Sequence, residues 1–446
     1  MDQTTSLLGR FLAPYRGAFR IEAFRNWIVF VAAWTLAPRK RTIAQICNTA
    51  AFAYETSHHN LYHLVERAQY LELDLDEIRL AQAIAQFASE GVVEVAIDDT
   101  LCHKRGAGVF GAGMQLDPVL SPKRHKVIRF GLNWLMLALV VAVPGRPDRA
   151  FSIPIAWRLC ERKSSARPDR TPPKRTELAR DLLVWLARRL PGREIRVLGD
   201  SAYLNRTIAK APGTESLAFL GPMPMKAAIY ALPAPRKPGQ RGATRKKGDR
   251  LPSPKADFAD WSNLPVQRMQ LTVGGRVEVV EVLVRDDVLW YGTFGVRVGR
   301  AILVRDTSGG WKDTAFWTTD RTTPVLALLE GYVRRWSIEV LFRDSKQLMG
   351  LHDPQVRTET SVKRGHGQTW VVLAEVIRWY VSEGHELEKV QKSRPWYPDA
   401  PVPTISDMIE TLRLALWQEA LSQEVWKDLS PEKCLERLIH WISELH

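Results

Sequence analysis

An α/β fold is predicted, and three observations predict it. Val92 to Asp99 (VVEVAIDD) is a near-continuous apolar run of strand type that ends in two adjacent acids. A helix-like stretch, Lys174 to Leu190, separates the first strand-like segments from a further short one, Glu194 to Asp200, so strands and helices alternate. Residues 1–90 and 386–446 carry helical patterns, which adds helices at both ends of the core.

At 446 residues the chain exceeds what one simple core organises. Its 63 basic and 49 acidic residues leave a net charge of +14, so a polyanionic partner is expected, nucleic acid ahead of an anionic membrane. The longest apolar runs, Trp27 to Ala37 and Trp134 to Val143, fall short of the roughly 18–20 residues that span a bilayer, so no membrane segment is expected. The first residues lack the basic start and sustained apolar stretch of a secretion signal. Cys47, Cys102, Cys160 and Cys434 form no CxxC pair, which argues against a disulfide framework or a zinc knuckle and fits a cytoplasmic location. His58, His59 and His63 lack an acidic or thiol partner at metal-ligand spacing and read as the polar face of a helix.

In chain order, Ala23 to Leu36, Thr42 to Phe52 and His58 to Ala68 read as helices, with Ser57 as N-cap of the third. Helix, break, helix suits a helix-turn-helix-like DNA-binding module, and Asp74 to Ala88 adds another helix. Strands are expected at Val92 to Asp99, Val127 to Val143 and Phe151 to Leu159. The helix and strand at Lys174 to Leu190 and Glu194 to Asp200 follow, and this order is how a ribonuclease H-like core begins. In such a sheet the first and fourth strands are neighbours, which would bring Asp98 beside Asp200. A helix at Tyr203 to Lys210 and a strand at Ser216 to Leu220 would continue it. Pro233 to Lys255, rich in Pro, Gly and cations, is a solvated linker, a basic loop on phosphates, or both. Val266 to Val304 alternates as strands, with Gly274-Gly275 and Asp286-Asp287 as turn signals. Helices at Gln368 to Ser382, Ile405 to Gln423 and Pro431 to Leu445 flank a Pro-rich break, Ser393 to Pro403. The expected units are a helical DNA-binding domain (1–90), the first part of the core (91–225) and a basic loop with a β-rich insertion (226–320). The last part of the core (321–385) and a C-terminal helical region (386–446) suited to dimerisation complete them.

One stretch carries chemistry. Read as a single helix at about 100° per residue, Thr323 to Gly350 puts Tyr332, Arg335, Trp336, Glu339, Arg343 and Lys346 on one face. That face suits a phosphate chain and a metal, although Arg335–Glu339 and Glu339–Arg343 are also ordinary i,i+4 pairs of a surface helix. Asp98 or Asp99 at the first strand, and Asp200 at a later one, are candidate partners of Glu339; Asp200 is equally placed to cap a following helix. Three carboxylates brought together repel unless a divalent cation neutralises them.

Tyr332, two residues, Arg335, three residues, Glu339, six residues and Lys346 form a signature that resembles the third-acid helix of the DDE transposases of bacterial insertion sequences. Asp98-Asp99-Thr100 and Asp200-Ser201-Ala202-Tyr203 are similar to that family's first and second acids. The resemblance implies a ribonuclease H-like core interrupted by a β-rich insertion. It implies Asp98, Asp200 and Glu339 as catalytic metal ligands for Mg2+, with Mn2+ as substitute. Tyr332, Arg335 and Lys346 would be contacts to the transposon end, and helix geometry adds Trp336 and Arg343. It further implies double-stranded DNA as partner, a homodimer assembled on it, and cleavage followed by strand transfer. A ribonuclease H-like nuclease without strand transfer and a catalytically retired DNA-binding regulator are the alternatives.

Overall fold

The computed structural model describes residues 6–38, 40–54, 56–70, 72–106, 108–117, 120–121, 125–143, 146–162, 171–236, 241–387 and 403–422, with seven more between 430 and 439. The chain opens with helices α1 (Leu7–Phe11), α2 (Ile21–Leu36), α3 (Ile43–Tyr54), α4 (His58–Glu66) and α5 (Glu72–Phe87). Ser57 caps α4 as its position suggests, its hydroxyl accepting the His59 N–H at 3.3 Å. α2 is apolar on nearly every side, the composition of a helix enclosed all round, and its residues from Trp27 to Leu36 are all buried.

Next come strands β1 (Val93–His103), β2 (Gly113–Leu116), β3 (Ile128–Val143) and β4 (Arg146–Cys160), helix α6 (Arg175–Arg189), strand β5 (Ile195–Gly199), helix α7 (Arg206–Ala209) and strand β6 (Leu217–Pro222). β1 lies between antiparallel β3 and parallel β5, and β5 pairs in parallel with β6. β1 and β3 are buried on both faces, as expected of strands in the middle of a sheet covered from both sides. β1 extends past the expected end, so Asp98 sits in mid-strand, opposite Met136 of β3. Tyr203 to Lys210 is not one helix. Asp200 and Asn205 each take backbone N–H groups into their side chains, which makes a turn followed by the four-residue α7.

β7 (Tyr230–Ala231), α8 (Pro254–Ala259), β8 (Gln267–Val273), β9 (Arg276–Leu289), α9 (Tyr291–Phe294), β10 (Gly299–Asp306) and β11 (Thr314–Thr318) follow. This β-rich stretch continues the main sheet: β11 pairs antiparallel with β6, Trp317 opposite Gly221, and β10 and β9 extend the order outward. Gly221 lets the edge close, since a Cβ there would lie 2.2 Å from the Gly199 carbonyl oxygen. Gly274-Gly275 makes the expected turn between β8 and β9. Asp286-Asp287 does not; it forms a bulge inside β9, where Asp287 takes φ +53° and the two acids pair with Arg300 and Arg321. Described parts of the basic Pro233 to Lys255 segment are held to β7, with the Gly248 N–H on Ala231 O and Lys247 3.8 Å from the Tyr230 ring.

The final helices are α10 (Val325–Arg334), α11 (Ser337–Gln347), α12 (Glu359–Ser382) and α13 (Ile405–Leu421). The N-terminal and C-terminal helices share one core. The Tyr15 hydroxyl donates to Glu375 at 2.6 Å, Trp27 Nε1–H to Gln368 at 3.3 Å, and the Leu7 N–H to Glu419 at 2.7 Å. α13 spends its apolar face on this same core, burying Met408, Ile409, Leu412 and Leu416. Most of the Pro-rich break and of the expected helix from Pro431 to Leu445 lies outside the described residues. No helix among the described residues is long and apolar enough to cross a membrane.

Candidate active site

Successive residues of a strand face opposite ways, so Asp98 and Asp99 lie on different sides of β1. Asp99 is fully engaged on the α6 side. Arg175 Nη1 donates to both its oxygens at 2.7 Å, Asn133 Nδ2 donates at 2.9 Å, and the Tyr203 hydroxyl completes the set. Asp98 faces the other way, toward α10 and α11. Its Oδ1 accepts the Asp99 N–H at 2.8 Å and its Oδ2 receives Arg335 Nη1 at 3.3 Å. Burial pushes its pKa up to about 7, the Asp99 amide opposes this, and the Asp200 charge adds to it.

Asp200 is brought alongside by register, because Ile97 pairs with Gly199 and the next residue of each strand is an acid. Asp200 caps a turn and not the following helix, whose N-cap is Asn205. Oδ1 accepts the Ala202 and Tyr203 N–H groups at 2.8 and 3.3 Å, while Oδ2 has no hydrogen-bond partner among the described residues.

The stretch from Thr323 to Gly350 is two helices rather than one. Between α10 and α11 the backbone stays right-handed but tightens to i→i+3 bonds, from Arg335 N–H to Tyr332 O through Glu339 N–H to Trp336 O. Each residue of such a turn advances by about 120° instead of 100°, so the spacing of side chains around the axis changes across the joint. Arg335 and Tyr332 lie toward Asp98 and Asp200, and Glu339 is held by Arg335. Arg335 Nη2 donates to Glu339 at 3.0 Å, and its guanidinium lies 5.4 Å from the Tyr332 ring. Arg335 thereby joins Asp98 to Glu339, and its buried Nε–H has no partner among the described residues. Trp336 and Arg343 border a mostly apolar cavity of about 940 Å³ that Tyr332 and Arg335 also line, with Phe151, Leu271, Trp311 and Phe316 on its wall. Lys346 lies two turns further on, near Cys102 and Asp117.

A buried ion network seats the joint. Arg196 of β5 donates to Glu94 at 2.6 Å and to Asp320 at 2.7 Å, and Arg334 of α10 reaches Glu94 at 3.0 Å. Ser337 and Ser152 hydroxyls meet at 2.6 Å and tie the start of α11 to β4. Sequence reasoning missed Glu94, Arg196, Arg334 and Arg175. Glu94 carried a usable signal, since it lies four residues before Asp98 on the same strand and hence on the same face.

Three carboxylates are a hard-oxygen donor set of the kind magnesium and manganese accept, and in that respect the residues fit a divalent ion. In the arrangement present the Arg335 guanidinium supplies the neutralising charge between Asp98 and Glu339. Among the described residues no three His, Cys, Asp or Glu side chains already enclose a metal position.

No curated protein matches the chain. Among solved structures, the piggyBac transposase synaptic complex with hairpin DNA is similar at a TM-score of 0.41 and 11% identity. The similarity covers 92% of this chain and 74% of that one, and is too distant to carry an inference. The model of the DDE superfamily endonuclease family matches residues 14–280, a span that holds Asp98 and Asp200 and stops short of Glu339. With that match over more than half of its length, the chain belongs to the DDE superfamily endonucleases.

Proposed function

We propose that this protein is a magnesium-dependent DNA transposase of a bacterial insertion sequence. It cuts the phosphodiester at the ends of its element and joins the freed 3′ hydroxyl to target DNA. The observation that carries this is the meeting of Asp98 and Asp200 at adjacent strand positions, with Glu339 linked to Asp98 through Arg335. Family membership supports endonuclease chemistry. The insertion-sequence assignment rests on the spacing of Tyr332, Arg335, Glu339 and Lys346.

Asp98, Asp200 and Glu339 would hold Mg2+, or Mn2+ in its place, which when bound activates the attacking oxygen and stabilises the leaving one. Arg335 is the phosphate orienter. Its guanidinium, set between Asp98 and Glu339, is the cation at the site to which a phosphate oxygen would be drawn. Tyr332 backs the guanidinium, and Trp336 and Arg343 contact sugar and phosphate from the cavity side. In hydrolysis a water oxygen bonds to phosphorus and the 3′ oxygen leaves and takes up a proton. In joining, that 3′ hydroxyl attacks a target phosphodiester, gives up its proton and displaces a second 3′ oxygen. The N-terminal helices read the element ends, the exposed face of α4 (His59, Tyr62, His63) being the presented surface, and two copies assemble on paired ends.

Asp98→Asn, Asp200→Asn and Glu339→Gln are each expected to abolish magnesium-dependent nicking of DNA that carries the sequences flanking the gene, with binding retained. A variant that nicks at the normal rate overturns the assignment. Joining of a precut oligonucleotide with a free 3′ hydroxyl separates a transposase from a nuclease without strand transfer.

A further inference from the structure

Asp98 and Asp200 each stand one residue past the last pair of the β1–β5 ladder, which closes at Ile97 and Gly199. Backbone pairing therefore brings the two acids together without holding them. Beyond Gly199 the chain leaves the sheet in a turn. A Cβ on Gly199 would lie 3.2 Å from Tyr203 Cβ and 3.1 Å from Leu204 Cδ1, so that turn is folded tightly against the strand end. Two carboxylates of like charge repel, and on such an end they would swing apart unless something other than the ladder fixed them.

A chain of hydrogen bonds that passes through the far face of β1 links them. The Asp99 N–H donates to Asp98 Oδ1 at 2.8 Å. The Asp99 carboxylate accepts the Tyr203 hydroxyl, and the Tyr203 N–H donates to Asp200 Oδ1 at 3.3 Å. Oδ1 of each acid is thereby pinned. Oδ2 of Asp98 meets Arg335, and Oδ2 of Asp200 has no hydrogen-bond partner among the described residues. Tyr203, the middle of the bridge, is 1% exposed.

Asp99 is itself held from three sides. An ionised carboxylate offers about four acceptor positions. Oδ1 takes Arg175 Nη1 at 2.7 Å and the Tyr203 hydroxyl, and Oδ2 takes Arg175 Nη1 at 2.7 Å and Asn133 Nδ2 at 2.9 Å. None is left for a metal. Arg175 is the first residue of α6, its guanidinium 5.8 Å from the Tyr203 ring, and Asn133 lies on β3 opposite Leu101. The Arg175 charge also answers that of Asp99, which would otherwise add to the repulsion between Asp98 and Asp200. β3, α6 and the turn thus converge on a residue that faces away from the site, the arrangement by which an outer set of partners preorganises the ligands in front of it.

We propose that Asp99 and Tyr203 are positioning residues for the divalent ion: the bridge Asp98–Asp99–Tyr203–Asp200 sets the spacing and aim of the two carboxylates that hold it. The proposal rests on the reading that these acids bind metal. Its test is Mn2+ binding to the whole chain, followed by electron paramagnetic resonance, with urea unfolding of each variant alongside. Tyr203→Phe keeps the ring and removes the hydroxyl, and is expected to weaken Mn2+ binding by about tenfold to a hundredfold. Arg175→Gln, at a partly exposed helix start, should weaken it by about tenfold, and Arg175→Lys, with the charge but not the fork, should fall between it and the parent. The Mg2+ concentration for half-maximal nicking should rise in the same order. If folded Tyr203→Phe binds Mn2+ as the parent does, whatever its unfolding midpoint, the hydroxyl serves folding alone and the bridge is refuted. Should Tyr203→Phe fail to fold, the Arg175 pair decides, and parental Mn2+ affinity in Arg175→Gln refutes the bridge. Asp98→Asn separates the two proposals. A parent that binds Mn2+ no better than Asp98→Asn overturns the metal reading and the bridge together, whereas loss at Asp98→Asn with none at Tyr203→Phe removes only the bridge.

Discussion

Asp98 is the residue whose surroundings make the clearest demand. Its pKa is raised to about 7, so between roughly pH 4 and 7 the folded protein keeps a proton that the unfolded chain releases. Stability from this group is therefore full at low pH and lost as pH rises through about 7. Asp98→Asn removes the penalty. In urea unfolding at pH 8 the variant is expected to exceed the parent by on the order of 2–4 kcal/mol, and the gap should close toward pH 4. The sequence alone left Asp98 and Asp99 as rivals. Neighbouring acids on a strand face opposite sides, and only the packing of α6 on one face and α11 on the other decides which of them meets Asp200. Asp200 shows the same limit, because the helix expected after it starts later and is capped by Asn205 instead.

At the scale of elements, the strands and long helices around the site were legible, because unbroken apolar runs and a cap such as Ser57 are local signals. The joint between α10 and α11 was not, since Arg335 and Trp336 are ordinary helix residues and the tightening there is imposed by what the helices rest on. Glu94 and Gly331 are that support. A Cβ on residue 331 would come within 2.9 Å of Glu94 Oε1, so Gly331→Ala should lift α10 from the sheet. The expected result is lower cleavage with DNA affinity little changed, read by comparing the two. Glu94→Ala leaves Arg196 and Arg334 without their shared carboxylate, and chemical denaturation should show a loss of about 3 kcal/mol or more.

Taken whole, the molecule carries a net charge of +14, and among the described residues its strands form one continuous sheet. Duplex affinity is expected to fall about a thousandfold or more between roughly 50 and 200 mM salt, and an affinity flat across that range would remove DNA backbone as the main partner. The fold class was readable from the alternation of strands and helices, and the β-rich stretch was recognised as strands. That it extends the main sheet depends on β6 having an open edge, which no local pattern announces. Division of the chain into serial units also looks different in three dimensions, because residues 1–90 bury their apolar faces against α12 and α13. A fragment of residues 1–90 expressed alone should show no cooperative thermal transition by circular dichroism.

That shared core has a consequence during translation. Tyr15 waits for Glu375 and Trp27 for Gln368, so the earliest helices leave the ribosome long before the groups that complete their packing are made. Synthesis cut short ahead of α12 leaves α2 without the groups that complete its packing, and competence arrives only once α12 has been made.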